Sequence, residues 1–230
     1  MRSFSYSEKI IKRKLFFALV FVFAVSVLVY HIITGAFIMT YRLETNNMEP
    51  SLKSGEIVLG SLRAKAETLE RGDLVFKRPH FKGSLNIFQK AINKAFSLFT
   101  AKMYLPFDEY KGSLVSGSIF RVIGLPGDTI YMKDYIAYIK PAGSENFLTE
   151  FELTKQNYNI QTIQLPNDWK SEMPFSGSTE NFVLGKDEFF LLTDNRVSSL
   201  DSRLSGSCDK SQIETKIIFV LFPFKSWKSF

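Results

Sequence analysis

Side chains able to do chemistry cluster in four short blocks of this 230-residue chain. The first is Thr45-Asn46-Asn47-Met48-Glu49-Pro50-Ser51-Leu52, and the second is Arg71-Gly72-Asp73-Leu74-Val75-Phe76. The third is Phe120-Arg121-Val122-Ile123-Gly124-Leu125-Pro126-Gly127-Asp128. The fourth is Thr193-Asp194-Asn195-Arg196-Val197-Ser198-Ser199-Leu200-Asp201-Ser202-Arg203. Hydroxyls and closely spaced opposite charges suit nucleophilic catalysis, in which a neighbouring base activates a weak hydroxyl nucleophile. Two positions inside the blocks cannot join such chemistry. The Asn47 carboxamide forms hydrogen bonds but does not serve as an acyl-accepting nucleophile. The Phe120 ring has no amine to accept a proton. Asp201-Ser202-Arg203 alone is a weak three-residue signal, and its order and spacing after the other blocks give it weight.

Together the blocks resemble bacterial type I signal peptidases. The family's first block reads roughly Ser-x-Ser-Met-x-Pro-Thr-Leu followed by Gly-Asp-x-Val. Residues 45–52 and Gly55-Glu56-Ile57-Val58 match it here. In that family the serine before Met is the nucleophile, and a lysine just before the Arg-Val of the third block is the general base. Such a lysine works because burial disfavours its charged form and brings its pKa toward neutrality. The resemblance therefore places Asn47 at the nucleophile position and Phe120 at the general-base position, both substituted. It places Thr45 where a hydroxyl helps the oxyanion hole and Ser199 where a serine orients the base. Met48, Pro50, Arg121, Gly127 and Asp128 match structural positions of the motif, as do Asp194, Asn195, Arg196, Asp201, Ser202 and Arg203. Asp201 and Arg203 correspond to a charged pair tying the loops of the site together, with Arg121 close by. Thr193 stands where a glycine usually precedes Asp-Asn-Arg, which bears on backbone freedom there. The closing run Phe222-Pro223-Phe224-Lys225-Ser226-Trp227 resembles the family's Trp-Pro-Phe ending. Residues 80–117 and 141–181 have no recognisable counterpart.

The resemblance implies a role in processing the signal peptides of exported proteins, with no cofactor and no metal. Loss of both dyad positions favours a chain that binds cleavage regions, or regulates an active paralogue, over one that turns substrate over. Phenylalanine suits the apolar surroundings a neutral lysine would need, so packing survives while the chemistry goes. The other reading is an active serine endopeptidase with a rearranged nucleophile and base, drawn from Ser51, Ser118 and Lys77. The expected partners are signal-peptide-bearing exported proteins, membrane lipid and an active paralogue.

The elements that must position these blocks are also legible. Formal net charge is +6, and +4 of it falls in residues 1–14, where Arg2, Lys9, Lys12, Arg13 and Lys14 face only Glu8. The basic balance therefore belongs to one end and gives poor support for nucleic-acid binding. Residues 15–40 contain no Asp, Glu, Lys or Arg, a run long enough for a transmembrane helix and longer than a cleavable signal sequence needs. The basic tail then stays in the cytoplasm, and residues 41–230 form an extracytoplasmic domain on a single-pass anchor in the cytoplasmic membrane. His31, near the outer end of the run, reads as an interfacial imidazole. A single cysteine, Cys208, leaves stability to the core instead of a disulfide.

Beyond the anchor, short β-branched and aromatic runs bounded by Gly and Pro predict strands over residues 56–60, 73–77, 119–123, 189–193 and 216–222. Residues 128–140 read as a hairpin turning near Lys133-Asp134. The fold class is mainly β: a signal-peptidase-like domain with an N-terminal transmembrane helix and an inserted amphipathic helix. That helix falls within an insertion at residues 80–117. Leu85, Phe88, Ile92, Ala95, Phe96, Phe99 and Met103 share one side, with Asn86, Gln89, Lys90, Asn93, Lys94 and Ser97 on the other. Its apolar side either packs on the β domain or lies in a lipid headgroup plane. Residues 141–181, polar and irregular, fit a variable second subdomain.

Overall fold

The computed structural model describes residues 6–36, 38–62, 69–77, 85–100, 106–107, 118–164, 177–197 and 200–230. The chain divides into two units, Met1–Ile38 and Met39–Phe230. The first is built on helix α1 (Tyr6–Ala36), of which Lys9–Tyr30 is long and apolar enough to cross a membrane. At 1.5 Å per residue a 22-residue segment spans about 33 Å, close to the thickness of a bilayer's hydrocarbon core. The apolar run continues to Thr40, but the helix stops at Ala36 and β1 (Ile38–Arg42) follows. Ile38, Thr40 and Tyr41 favour extended backbone through their branched or aromatic side chains.

The second unit is mainly β. β1 is followed by β2 (Ile57–Ser61), β3 (Leu74–Lys77) and, after helix α2 (Ile87–Thr100), by β4 (Ser118–Gly124). Then come β5 (Thr129–Lys133), β6 (Ile136–Lys140), β7 (Leu148–Thr149), α3 (Glu150–Leu153), β8 (Thr179–Val183) and β9 (Glu188–Leu192). Helix α4 (Ser202–Ser205), β10 (Cys208–Asp209) and β11 (Ile213–Phe222) follow, with single 3-10 turns at Lys210–Gln212 and Phe224–Ser226. A seven-stranded sheet runs β1-β2-β11-β3-β4-β9-β10, and a four-stranded sheet runs β7-β6-β5-β8. From β2 to β10 every pairing in the large sheet is antiparallel.

β4 is the hinge of the architecture, buried from Ile119 to Gly124, and it feeds three apolar clusters. Phe120 and Val122 join Leu69, Val75, Phe189, Leu191, Cys208 and Ile213. Ile119 joins Leu43, Met48, Leu52, Val58, Leu74, Ile217 and Val220. Ile123 joins the small sheet's Ile130, Met132, Ala137 and Ile139, with Leu184, Phe190 and Leu192. Successive strand residues face opposite sides, so one strand can serve clusters on both. The register against β9 shifts between Val122 and Gly124, where the chain leaves the large sheet for the small one. A Cβ on Gly124 would lie 2.1 Å from Ile130 Cδ1 and 2.8 Å from Leu184 Cδ1, so only glycine lets the layers close there.

The hairpin falls where the sequence places it. Lys133 pairs with Ile136 across a two-residue turn in which Asp134 and Tyr135 have φ of 51° and 69°, the double left-handed geometry that matches strand twist. Such a φ is strained for a bulky tyrosine. It is held because the Tyr135 amide donates to Gly177 O and its carbonyl accepts from Arg196 Nη1. The helix predicted in the insertion is α2, opened by a reciprocal cap. Gln89 N donates to Asn86 Oδ1 at 2.9 Å, and Asn86 N to Gln89 Oε1 at 3.0 Å.

Candidate functional site

The first block forms the loop between β1 and β2, closed at its base by Leu43 N to Glu56 O (2.9 Å) and Gly55 N to Leu43 O (2.8 Å). Met48 and Leu52 point into the core and pin the loop. Asn47 is half-buried, while Thr45 and Pro50 are exposed, Pro50 following a cis Glu49–Pro50 bond. The Asn47 main chain is fixed across the site, its carbonyl accepting from Asn195 N at 3.0 Å. The Asn195 side chain also donates, to Asn46 O at 3.3 Å. First and fourth blocks are thus joined through backbone atoms at Asn47.

Arg121 joins the rest. It is 3% exposed, and its guanidinium grips Asp194 in a bidentate pair, Nε to Oδ1 at 2.7 Å and Nη2 to Oδ2 at 2.5 Å. Nη1 donates to Gly72 O at 2.7 Å in the second block, and Nη2 to Ser51 Oγ at 3.1 Å in the first. The plane also lies 3.9 Å from the Tyr158 ring centroid, a stacking contact favourable to a cation. One side chain of the third block therefore touches all the other blocks, and the fork geometry of arginine makes that possible.

A second buried pair stands behind it. Arg196 Nη2 donates to Glu150 Oε2 at 2.6 Å and Arg196 Nε to Thr193 O at 2.6 Å, with both charged side chains fully buried. Burial works against the Arg196 cation, but Glu150 outweighs it and holds its pKa above the ordinary value. Tyr158 donates its hydroxyl to Glu150 Oε2. Burial first, and the Glu150 charge second, push that phenol's pKa well above its usual value. Glu150 and Tyr158 both lie in the 141–181 stretch that appears uninformative in the sequence. The sequence does carry one usable signal for this spot, Thr149-x-x-Glu152, which forms a reciprocal cap at the start of α3.

The remaining motif residues are structural supports. Asp201 binds Arg203 through Nε to Oδ1 (2.8 Å) and Nη2 to Oδ2 (2.9 Å), and Arg203 Nη1 donates to Arg196 O at 2.7 Å. Arg121 engages Asp194 instead of this pair. Ser202 Oγ accepts from Leu191 N at 3.0 Å, fastening α4 to β9. Asp128 accepts from Arg71 at 2.7 Å and from Leu125 N at 2.8 Å, closing the turn in which Gly127 has φ of 84°. Thr193 is buried without a positive φ, its hydroxyl 3.0 Å from both Asn195 O and Asp201 Oδ2. The backbone freedom of a glycine is therefore not needed there.

Phe120 sits in apolar surroundings one residue before Arg121. It is 4% exposed, opposite Val75 on β3, in the cluster that holds Cys208. Burial pushes the Cys208 thiol up to about 11. Ser199, expected from the resemblance at the base-orienting position, lies outside the described residues. Among the described residues no cluster of His, Cys, Asp or Glu could hold a metal ion.

Known proteins give the context. Over 200 residues the chain is 28% identical to signal peptidase IB of Staphylococcus aureus, covering 85% of this chain and 84% of that protein. It is 33% identical over 109 residues to signal peptidase I P of Bacillus subtilis subsp. natto, covering 47% of this chain and 52% of that one. Residues 15–222 match the family described as signal peptidase, peptidase S26. A match of that extent, over a β domain carrying all four blocks, makes this chain a member of the signal peptidase S26 family.

Proposed function

We propose that this protein is held in a membrane by α1 and takes part in signal-peptide processing without turning substrate over, by binding cleavage regions or regulating an active paralogue. The observation that carries the reading is a carboxamide at Asn47 together with a buried phenyl ring at Phe120, in a scaffold where Arg121, Arg196 and Asp201 make their hydrogen bonds. A peptide that binds as an added strand is held by main-chain hydrogen bonds, and these do not depend on the missing side chains. Positive charge in the first turns of α1, at Lys9, Lys12, Arg13 and Lys14, and the apolar run that follows support a single pass with the N-terminus in the cytoplasm.

Ser51 makes a poor substitute nucleophile. Its Oγ is bonded to the Arg121 guanidinium, which keeps its proton and cannot act as a base. An active peptidase is favoured by one observation only. Lys77 and Ser118 are register partners on β3 and β4, two residues along from Val75 and Phe120 and so on the same face.

The test is hydrolysis of a signal-peptide substrate by the purified full chain in detergent micelles. The expected result is no cleavage above background, with some cleavage regained in the Asn47→Ser, Phe120→Lys double variant. Robust cleavage by the unaltered chain, abolished by Ser118→Ala, would establish the active reading in its place.

A further inference from the structure

Helix α2 is turned the wrong way round for a helix that covers a core. At about 100° per residue, Ile87, Phe88, Ile92 and Phe96 occupy one half of its circumference, and Gln89, Lys90, Asn93 and Lys94 the other. A helix packed on a sheet buries the first half. Here Ile87 and Phe88 are 78% and 77% exposed, and Ile92 and Phe96 are exposed as well. Among the described residues of the helix the buried one is Asn93, on the polar half. Its carboxamide is used on both ends, Nδ2 donating to Phe107 O at 2.5 Å and Oδ1 accepting from Phe107 N at 2.9 Å. Asn93 thus ties the polar half of the helix to the chain at Phe107, and the described apolar side chains Ile87, Phe88, Ile92 and Phe96 are exposed.

We propose that this outward face is an in-plane membrane contact, seated on a bilayer that contains anionic lipid. Three observations select lipid as the occupant. The face is apolar and backed by Lys90 and Lys94, and α2 has no acidic residue, which suits a negatively charged headgroup layer. The chain carries α1, long and apolar enough to cross a bilayer, and the inference rests on the proposed reading that α1 holds the chain at a membrane. The residue of the helix that is buried among the described ones is Asn93, on the polar half, which leaves Ile87, Phe88 and Ile92 to enter the headgroup and acyl boundary, a depth of about 5–10 Å for such helices. The inference is independent of whether the chain turns over substrate.

The test uses the full chain in vesicles of phosphatidylcholine with phosphatidylglycerol, and in vesicles of phosphatidylcholine alone. Cys208 is fully buried, so a spin label attaches selectively at Phe88→Cys, at Ile92→Cys, or at the reference Val183→Cys, an exposed position on β8. In the mixed vesicles the labels at 88 and 92 should meet oxygen more often than a water-soluble nickel complex, with the reverse at 183. Lys90→Gln should lower the inserted-to-free ratio roughly fivefold, and omission of phosphatidylglycerol should lower it further. The proposal fails if labels at 88 and 183 are equally open to nickel, or if position 88 is shielded from both reagents, which would mean packing on protein. It also fails if shielding grows with the protein-to-lipid ratio, which would mean a second copy covers the face, or if insertion is indifferent to the anionic lipid.

Discussion

Phe120 and Arg121 are neighbours on β4, yet their side chains meet opposite environments. Phe120 enters an apolar cluster on one face of the sheet. Arg121 enters a polar assembly that holds the loops in place. On the proposed reading position 120 is where a base would contribute to chemistry, whereas the cation at 121 contributes to architecture. The difference teaches that the two roles are separable at single-residue resolution, since period-two alternation isolates adjacent side chains. Substituting one leaves the other's contacts intact.

That separation can be broken by mutation. Asp194→Ala should be the most damaging change, because it strands the Arg121 cation in the interior. Removing one partner of a buried pair costs about 3–5 kcal/mol, read as a lowered urea midpoint. Phe120→Leu keeps the apolar character and most of the volume, so it should cost no more than about 1.5 kcal/mol in the same titration. A larger cost for Phe120→Leu than for Asp194→Ala would reverse the assignment of architecture to the polar face. Ser51→Ala removes one acceptor of Arg121 and should cost about 1 kcal/mol, with no influence on any cleavage.

The smallest effect appears only at high pH. Burial and Glu150 raise the Tyr158 pKa in the folded state above its ordinary value of 10.0. Below pH 10 the phenol is protonated in both states and contributes no slope. Above it the unfolded chain releases the proton while the folded chain keeps it, so stability falls as pH rises. Tyr158→Phe should make that alkaline decline shallower, and an unchanged slope would mean that the phenol is not protected in the folded protein.

The strands over 56–60, 73–77, 119–123 and 189–193 and the hairpin were legible because alternation and turn residues are local properties. β11 starts at Ile213, earlier than the pattern from 216 suggests, because Ile213 and Thr215 find partners on β3, and pairing is invisible in one strand. β7 and β10 have two residues each and no periodicity to read. The four blocks were legible as motifs, but their connections were not. Arg121 reaches Asp194 across 73 positions and Arg196 reaches Glu150 across 46, and no local pattern marks a carboxylate for burial. For α2 the periodicity gave the helix correctly and was silent about which half faces inward. That shows only in the exposure of Ile87 and Phe88 and the burial of Asn93.

The hydrogen bond from Asn195 N to Asn47 O has an evolutionary consequence. The loop is held at position 47 by a peptide carbonyl, which every residue type supplies, and not by the side chain that would carry out catalysis. Selection for folding and selection for chemistry therefore act on different atoms of one residue. A lineage can lose or regain a reactive group there without passing through an unfolded ancestor.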